Sequence, residues 1–238
     1  MGRFLTQLPR RSFLLVMLVG SALITASSLA YFDFESLPPF VVEKLPLRFE
    51  SLWLASLRVH VAAALLAFPL CIALMTRTLQ RRPSWHRWLG RAAGAIVLLA
   101  LVPSGSILAF DAKGGGVVTA GFLLSAAIVA WFMMRGVAAA RRRDLVSHRR
   151  AMRHVFAQMT VAVTSRALLI GLDFLGLNPD VAYVVALWGP VLASAAIAEL
   201  VSYPFPVQLL ARICREISPL ALVVRVRSLS RPLVRIGR

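Results

Sequence analysis

The sequence predicts an all-α, polytopic integral membrane protein, a bundle of six transmembrane helices, from its composition and from one pattern. Hydrophobic residues make up 59% of the 238 and charged residues only 16%. With a mean hydropathy of +0.77, the chain lies outside the range of water-soluble folds. Its apolar residues also fall into runs of about 20, and a helix of that length crosses the roughly 30 Å hydrocarbon core while satisfying its own backbone hydrogen bonds.

The first run, Ser12–Phe32, follows the arginine pair Arg10 and Arg11 and has an A-x-A-like end. These are features of an export signal, but the run is longer than a signal's usual apolar region and further spans follow, so it reads as an uncleaved anchor. The second, Trp53–Met75, contains Pro69, and the third, Trp88–Phe110, is interrupted by VPSGS at Val102–Ser106. The fourth and fifth are Val117–Met134 and Met152–Leu177, and the sixth, Val181–Tyr203, contains WGP at Trp188–Pro190. Breaks of this kind survive in lipid where neighbouring helices or waters satisfy the freed carbonyls, so they predict kinks facing the bundle interior. The chain thus divides into an N-terminal segment (1–11), a membrane domain (12–203) and a tail (204–238). In the tail, leucines and valines alternate with arginines, and Pro219 and Pro232 divide it. It reads as a basic amphipathic segment lying on the membrane surface.

Charge fixes the expected orientation. The net charge is +17, from 25 Arg and two Lys against ten acidic residues. Twenty-two of the 27 basic residues fall in the N-terminus, the second-to-third and fourth-to-fifth connections and the tail. The other side has Lys44, Arg48 and Lys113, which leaves Arg58 and Arg166 inside spans. By the positive-inside rule both termini of this multi-pass protein are expected to be cytoplasmic. Membrane orientation and anionic lipid headgroups account for the basic excess, so no nucleic acid partner is implied. Cys71 and Cys214 suggest no exported disulfide, and there is no CxxC, CxxCH, P-loop, GxSxG or HExxH motif. The sequence assigns no reaction and no metal site.

The two long basic connections share a pattern. SWHRWLGR (Ser84–Arg91) and SHRRAMR (Ser147–Arg153) both contain HRxxxR, at His86–Arg91 and His148–Arg153, where a span leaves the basic side. Spans two and three therefore read as a parallel repeat of spans four and five, which would place His86 and His148 at equal depth. A helix N-terminus offers free N–H groups and a partial positive charge, and His-Arg with a further Arg makes it a candidate anion site. Phospholipid phosphate is the nearest anion. Asp144, four residues before His148, is a candidate to orient that imidazole.

HVAAALLAFPL from His60, HRWLGRAAG from His86 and HRRAMRHVFAQMTVAVTSRALL from His148 resemble an uncharacterised family of bacterial membrane proteins, domain of unknown function 2306. The resemblance covers roughly Leu54–Leu177 and rests on His60, His86, Arg91, His148, Met152, Arg153 and Arg166. Ala64 stands where the family commonly has Gly, and Ala151 where it commonly has Trp. The resemblance implies a location in the bacterial inner membrane and no reaction.

Four histidines in a helical bundle raise a second reading, a haem b or quinone-linked electron-transfer protein. His86 and His148 are the axial pair by depth, with His154 as an alternative, while His60 stands apart in the outer half of its span. Charges within spans are candidate functional groups by default. Arg58, His60, Ser104, Ser106, Asp111, Ser165 and Arg166 fall at comparable outer depth, and Asp173 shares a helix face with Arg166. They read as a polar outer pocket suited to an anionic headgroup, a quinone or a proton path. A transporter, or an accessory subunit with a membrane-protein partner or a second copy of itself, is the third reading.

Overall fold

The computed structural model describes residues 8–33, 38–45, 47 and 49–202, and among them all regular structure is helical. Six helices are long and apolar enough to cross a membrane: Ser12–Phe32, Glu50–Met75, Pro83–Phe110, Gly115–Arg141, Leu145–Phe174 and Pro179–Ser202. The first is α1 (Leu8–Ser28), extended by a 3-10 turn at Leu29–Phe32, and a short α2 (Pro39–Lys44) follows. The second span is α3 (Glu50–Met75), and α4 (Arg77–Gln80) turns the chain back. Thr76 caps α4, accepting from the Leu79 amide at 3.4 Å. The third span is built from α5 (Pro83–Ile96), a π turn (Val97–Leu101) and α6 (Val102–Phe110). Gly114 and Gly115, with φ of 97° and 68°, supply the left-handed backbone that reverses the chain into α7 (Gly115–Arg141). The fifth span is α8 (Leu145–Phe174) and the sixth α9 (Pro179–Ser202). Pro83 and Pro179 stand at first helical positions, where the missing N–H costs nothing. The described residues up to Ala198 form one compact unit, and α9 runs on to Ser202.

The core is small and apolar, as close helix packing in lipid requires. Met17 of α1, Ala67 and Phe68 of α3, Val97 of the π turn, Val129 and Met133 of α7, and Val155 and Met159 of α8 form one buried cluster. A second cluster, Val118, Val161, Leu187 and Val191, joins α7, α8 and α9. The outer faces are equally apolar: Leu99, Ile170 and Phe174 are 79%, 71% and 90% exposed. Such a surface suits hydrocarbon rather than water.

Three details depart from the sequence reading. The helices outrun the apolar windows: α5 begins at Pro83 rather than Trp88, α8 at Leu145 rather than Met152, and α7 continues to Arg141. Arginine is a good helix former, so hydropathy falls in the headgroup layer while the helix goes on. Both HRxxxR segments therefore lie within helices. The breaks also do not all face inward: Pro190 is buried and Pro69 half-buried, but Pro103 is exposed. Pro103 has no N–H for the carbonyl four residues back, and the preceding turn widens, with the Val102 amide bonded to the Val97 carbonyl. Finally, residues 8–11 of the expected N-terminal segment are already helical. Residues 1–7 and the tail from Tyr203 lie outside the described residues.

Candidate functional site

The arginine-rich end is organised by the starts of α5 and α8. His86 is the fourth residue of α5 and its amide bonds to the Arg82 carbonyl at 2.9 Å. His148 is the fourth residue of α8, bonded in the same way to the Asp144 carbonyl at 3.0 Å. The two motifs thus stand in the same register to their helix starts. Arg87, Arg91, Arg149 and Arg153 are exposed around them.

Asp144 does not orient His148. Its carboxylate accepts from the Ser147 amide at 3.0 Å and caps α8. Hydrogen bonds from Ser147 hold that carboxyl below the usual carboxylate range. His148 turns instead to α7, its Nδ1 lying 2.9 Å from the Gly136 carbonyl. A carbonyl only accepts, so Nδ1 carries the proton and Nε2 keeps the lone pair. Gly136 permits this contact, since a Cβ there would run into the Met152 side chain and lie 3.3 Å from the Ala151 Cβ. His86 is half-buried, and its Nδ1 is buried with no hydrogen-bond partner among the described residues. A groove of about 430 Å³ runs between the π turn and the C-terminal end of α7, with Leu98, Met134, Val137 and Ala138 in its walls together with Arg141 and Arg142.

His154, the alternative axial ligand, is in the core. It is 3% exposed and stacks on Phe132 of α7, ring centroids 3.9 Å apart and planes 5° from parallel. Six residues turn a helix by about 240°, so His154 cannot share a face with His148.

The outer polar residues are brought together only in part. His60 Nδ1 lies 3.1 Å from the Leu101 carbonyl at the end of the π turn and 3.4 Å from Ser104 Oγ. Its ring packs on Gly105, where a Cβ would come within 2.8 Å of Cε1. No contact joins His60 to Arg166 among those described; Arg166 Nη1 donates to the Ala162 carbonyl of its own helix at 2.8 Å. Arg58 is engaged elsewhere, donating from Nε to the Tyr31 carbonyl at 3.2 Å. Ser106 back-bonds to Val102 of its own helix at 2.9 Å. Arg166 and Asp173 share a face but form no ion pair; among the described residues the ion pair is Lys113–Glu43, at 2.9 Å.

That pair belongs to a cap over the lysine-bearing end. Lys113 draws the Glu43 carboxyl below its usual range and is itself raised by Glu43. Lys44 donates to the Asp111 carbonyl and lies 5.3 Å from the Trp53 ring centroid, and burial lowers its pKa. A cavity of about 370 Å³ is lined by these groups with Leu47 and Ala112.

One polar unit escaped the sequence reading. Gln158 of α8, 3% exposed, accepts from Ser125 Oγ of α7 at 3.1 Å and donates from Nε2 to the Val191 carbonyl of α9 at 3.0 Å. A Gln in an apolar run was its only signal, since a buried amide in lipid needs partners on neighbouring helices. Trp188 Nε1 adds a bond from α9 to the Val117 carbonyl at 3.2 Å. Among the described residues no cluster of three or more His, Cys, Asp or Glu is arranged to hold a metal ion.

Among curated proteins and among solved structures, none matches the chain. A family model does, over residues 57–202. The match extends through the sixth span, beyond the 54–177 core suggested by the histidine motifs, which α9 does not carry. More than half of the chain is covered, and the protein belongs to the family of predicted membrane proteins DUF2306.

Proposed function

We propose that this membrane protein binds anionic groups, lipid phosphates first, at its arginine-rich end, and that this end faces the cytoplasm. The observation that carries the reading is the common register of the two HRxxxR motifs. His86 and His148 are each the fourth residue of a helix, with exposed arginines next to each in the same helix. Two helix N-termini with their partial positive charge, and guanidiniums able to grip phosphate bidentately, suit one or two headgroups. The apolar groove ending at Arg141 and Arg142 has the character of a seat for an attached acyl chain. Topology follows from the same arginines, and cysteine labelling from each side of the membrane tests it: a C-terminus labelled from the periplasm would overturn the orientation. Ligand linkage tests the site. A short-chain anionic phospholipid added to the purified protein raises its thermal midpoint, and replacing Arg91 and Arg153 together by Gln abolishes that rise. An unchanged rise leaves those arginines with an orienting role alone.

The haem b reading has one observation in its favour, the Nδ1 bond of His148 that leaves Nε2 for a metal. Among the described residues His86 Nδ1 has no matching acceptor, and neither cavity described above is lined by a histidine. The residues therefore fit an axial pair on one side only. A Soret band in purified protein that disappears in His86→Ala and His148→Ala would favour haem over the anion site. No observation favours the transporter reading.

A further inference from the structure

We infer that the groove between the π turn and the C-terminal end of α7 holds one acyl chain of an anionic phospholipid, with the lipid phosphate gripped by Arg141 and Arg142. This rests on the proposal that the arginine-rich end binds anionic lipid, and it names a seat for that lipid apart from the two HRxxxR helix starts. The groove is lined by Leu98 of the π turn and by Met134, Val137, Ala138, Arg141 and Arg142. Met134, Val137, Ala138 and Arg141 are spaced i, i+3, i+4 and i+7, so they form one stripe on α7 that changes from apolar to cationic at the helix end. Met134 and both arginines are exposed, and Val137 and Ala138 are half-buried, so the stripe is open to lipid. At the helical rise it is roughly 10 Å long. Side chains lean toward the N-terminus of their helix, so the Arg141 stem leans back along the groove.

The charge at the head of the groove is uncompensated among the described residues. No acidic side chain lines it, and neither Arg141 nor Arg142 forms an ion pair there. The nearest carboxylate in sequence, Asp144, caps α8 through the Ser147 amide. The last carbonyls of α7 carry partial negative charge, so the attraction for an anion has to come from the two guanidiniums, each able to donate a pair of N–H bonds to phosphate oxygens. An acyl chain gains no hydrophobic energy by leaving other chains for Leu98, Met134 and Val137, because hydrocarbon already surrounds it in the bilayer. The walls therefore orient the chain, and the headgroup decides which lipid stays.

The test uses the full chain in nanodiscs of mixed phosphatidylcholine and phosphatidylglycerol, with the same diazirine-bearing acyl chain on either headgroup, and maps labelled peptides. The expected result is labelling around Leu98 and Met134–Ala138 that is at least about fivefold stronger from phosphatidylglycerol and is competed by the unlabelled lipid. Arg141→Gln/Arg142→Gln brings it down to the phosphatidylcholine level, and Ala138→Trp, which fills the groove, lowers labelling by both probes. If Ala138→Trp does not fold, Met134→Trp, at an exposed position, blocks the same groove. The Arg91→Gln/Arg153→Gln variant runs in parallel and reports on the helix starts. Equal labelling by the two headgroups, or labelling that Arg141→Gln/Arg142→Gln leaves at the native level, would overturn the inference. Anionic lipid whose retention then still depended on Arg91 and Arg153 would leave the broader proposal standing without this seat.

Discussion

Replacing Gln158 by leucine removes the two bonds by which one side chain ties three helices. Its Oε1 accepts from Ser125 on α7 and its Nε2 donates to the Val191 carbonyl on α9. Interhelical hydrogen bonds in membrane proteins average about 0.6 kcal/mol each, so two amount to about 1.2 kcal/mol. The partners left behind adjust that figure in opposite directions. Val191 keeps a bond from Ser194 Oγ at 3.1 Å, so its carbonyl is not orphaned. Ser125 loses its acceptor in an apolar environment, which costs about 1 kcal/mol or more unless the hydroxyl turns to its own helix backbone. Leucine is close in size and leaves no large cavity. The expected loss is about 1–2 kcal/mol, roughly a 5- to 30-fold fall in the folded-to-unfolded ratio. Refolding from mixed micelles under a denaturing-detergent titration measures it, and a double-mutant cycle with Ser125→Ala isolates the pair. Ser125→Ala should cost little once Gln158 is leucine and clearly more when it is not. Strictly additive single-mutant effects would refute the Ser125–Gln158 bond and the account of how α7 and α8 meet.

Three further outcomes follow from single contacts. At Gly121, a Cβ would lie 2.8 Å from Leu187 Cδ2 and 3.2 Å from Trp188 Cε2. Gly121→Val should therefore cost about 1–3 kcal/mol by overpacking, and Leu187→Ala in the same chain should restore part of the thermal stability. The Glu43–Lys113 pair lowers the glutamate's pKa and raises the lysine's. Its contribution is therefore full between the two ordinary values, lost as pH falls through the lowered glutamate pKa, and lost as pH rises through the raised lysine pKa. The thermal-midpoint difference between native and Lys113→Gln protein should be constant from about pH 5 to pH 10, shrink below it, and weaken with salt; a difference that grows on acidification would contradict the pairing. Asp144→Ala should speed hydrogen exchange of the Ser147 amide while Asp144→Asn leaves it near native, because Asn keeps the capping oxygen. With the Asp144 pKa lowered, the native cap persists above the ordinary carboxylate range and fails only as pH falls through the lowered value.

The six spans were legible because bilayer thickness imposes a length that hydropathy alone reports, and the sequence breaks at Pro69, Pro103 and Pro190 coincide with prolines inside helical spans. Helix ends were not, since the headgroup layer tolerates arginine-bearing turns that a hydropathy window ends too soon. Pro103 announced a break, but not that the turn before it would be π-helical or that its end would receive His60. The partners of the site residues were the least accessible. Asp144 lies one helical turn before His148 in sequence, yet caps the backbone, while the acceptor that fixes the imidazole is Gly136 on the preceding helix. Periodicity placed Asp173 on the face of Arg166, but two turns of helix hold those groups too far apart to pair. Which helix lies beside which is decided by shape and by small residues such as Gly121 and Gly136, and a single chain's hydropathy carries no trace of it.

The claim that most needs a direct measurement is the anion site at the two HRxxxR helix starts. Native mass spectrometry of the full chain, released from nanodiscs of mixed zwitterionic and anionic phospholipid, reads bound lipid by mass and headgroup. The native protein should retain anionic lipid above its share of the bilayer, and the Arg91→Gln/Arg153→Gln variant should lose most of that excess. Equal enrichment in native protein and in the Arg91/Arg153 variant, or no enrichment in either, would contradict the account.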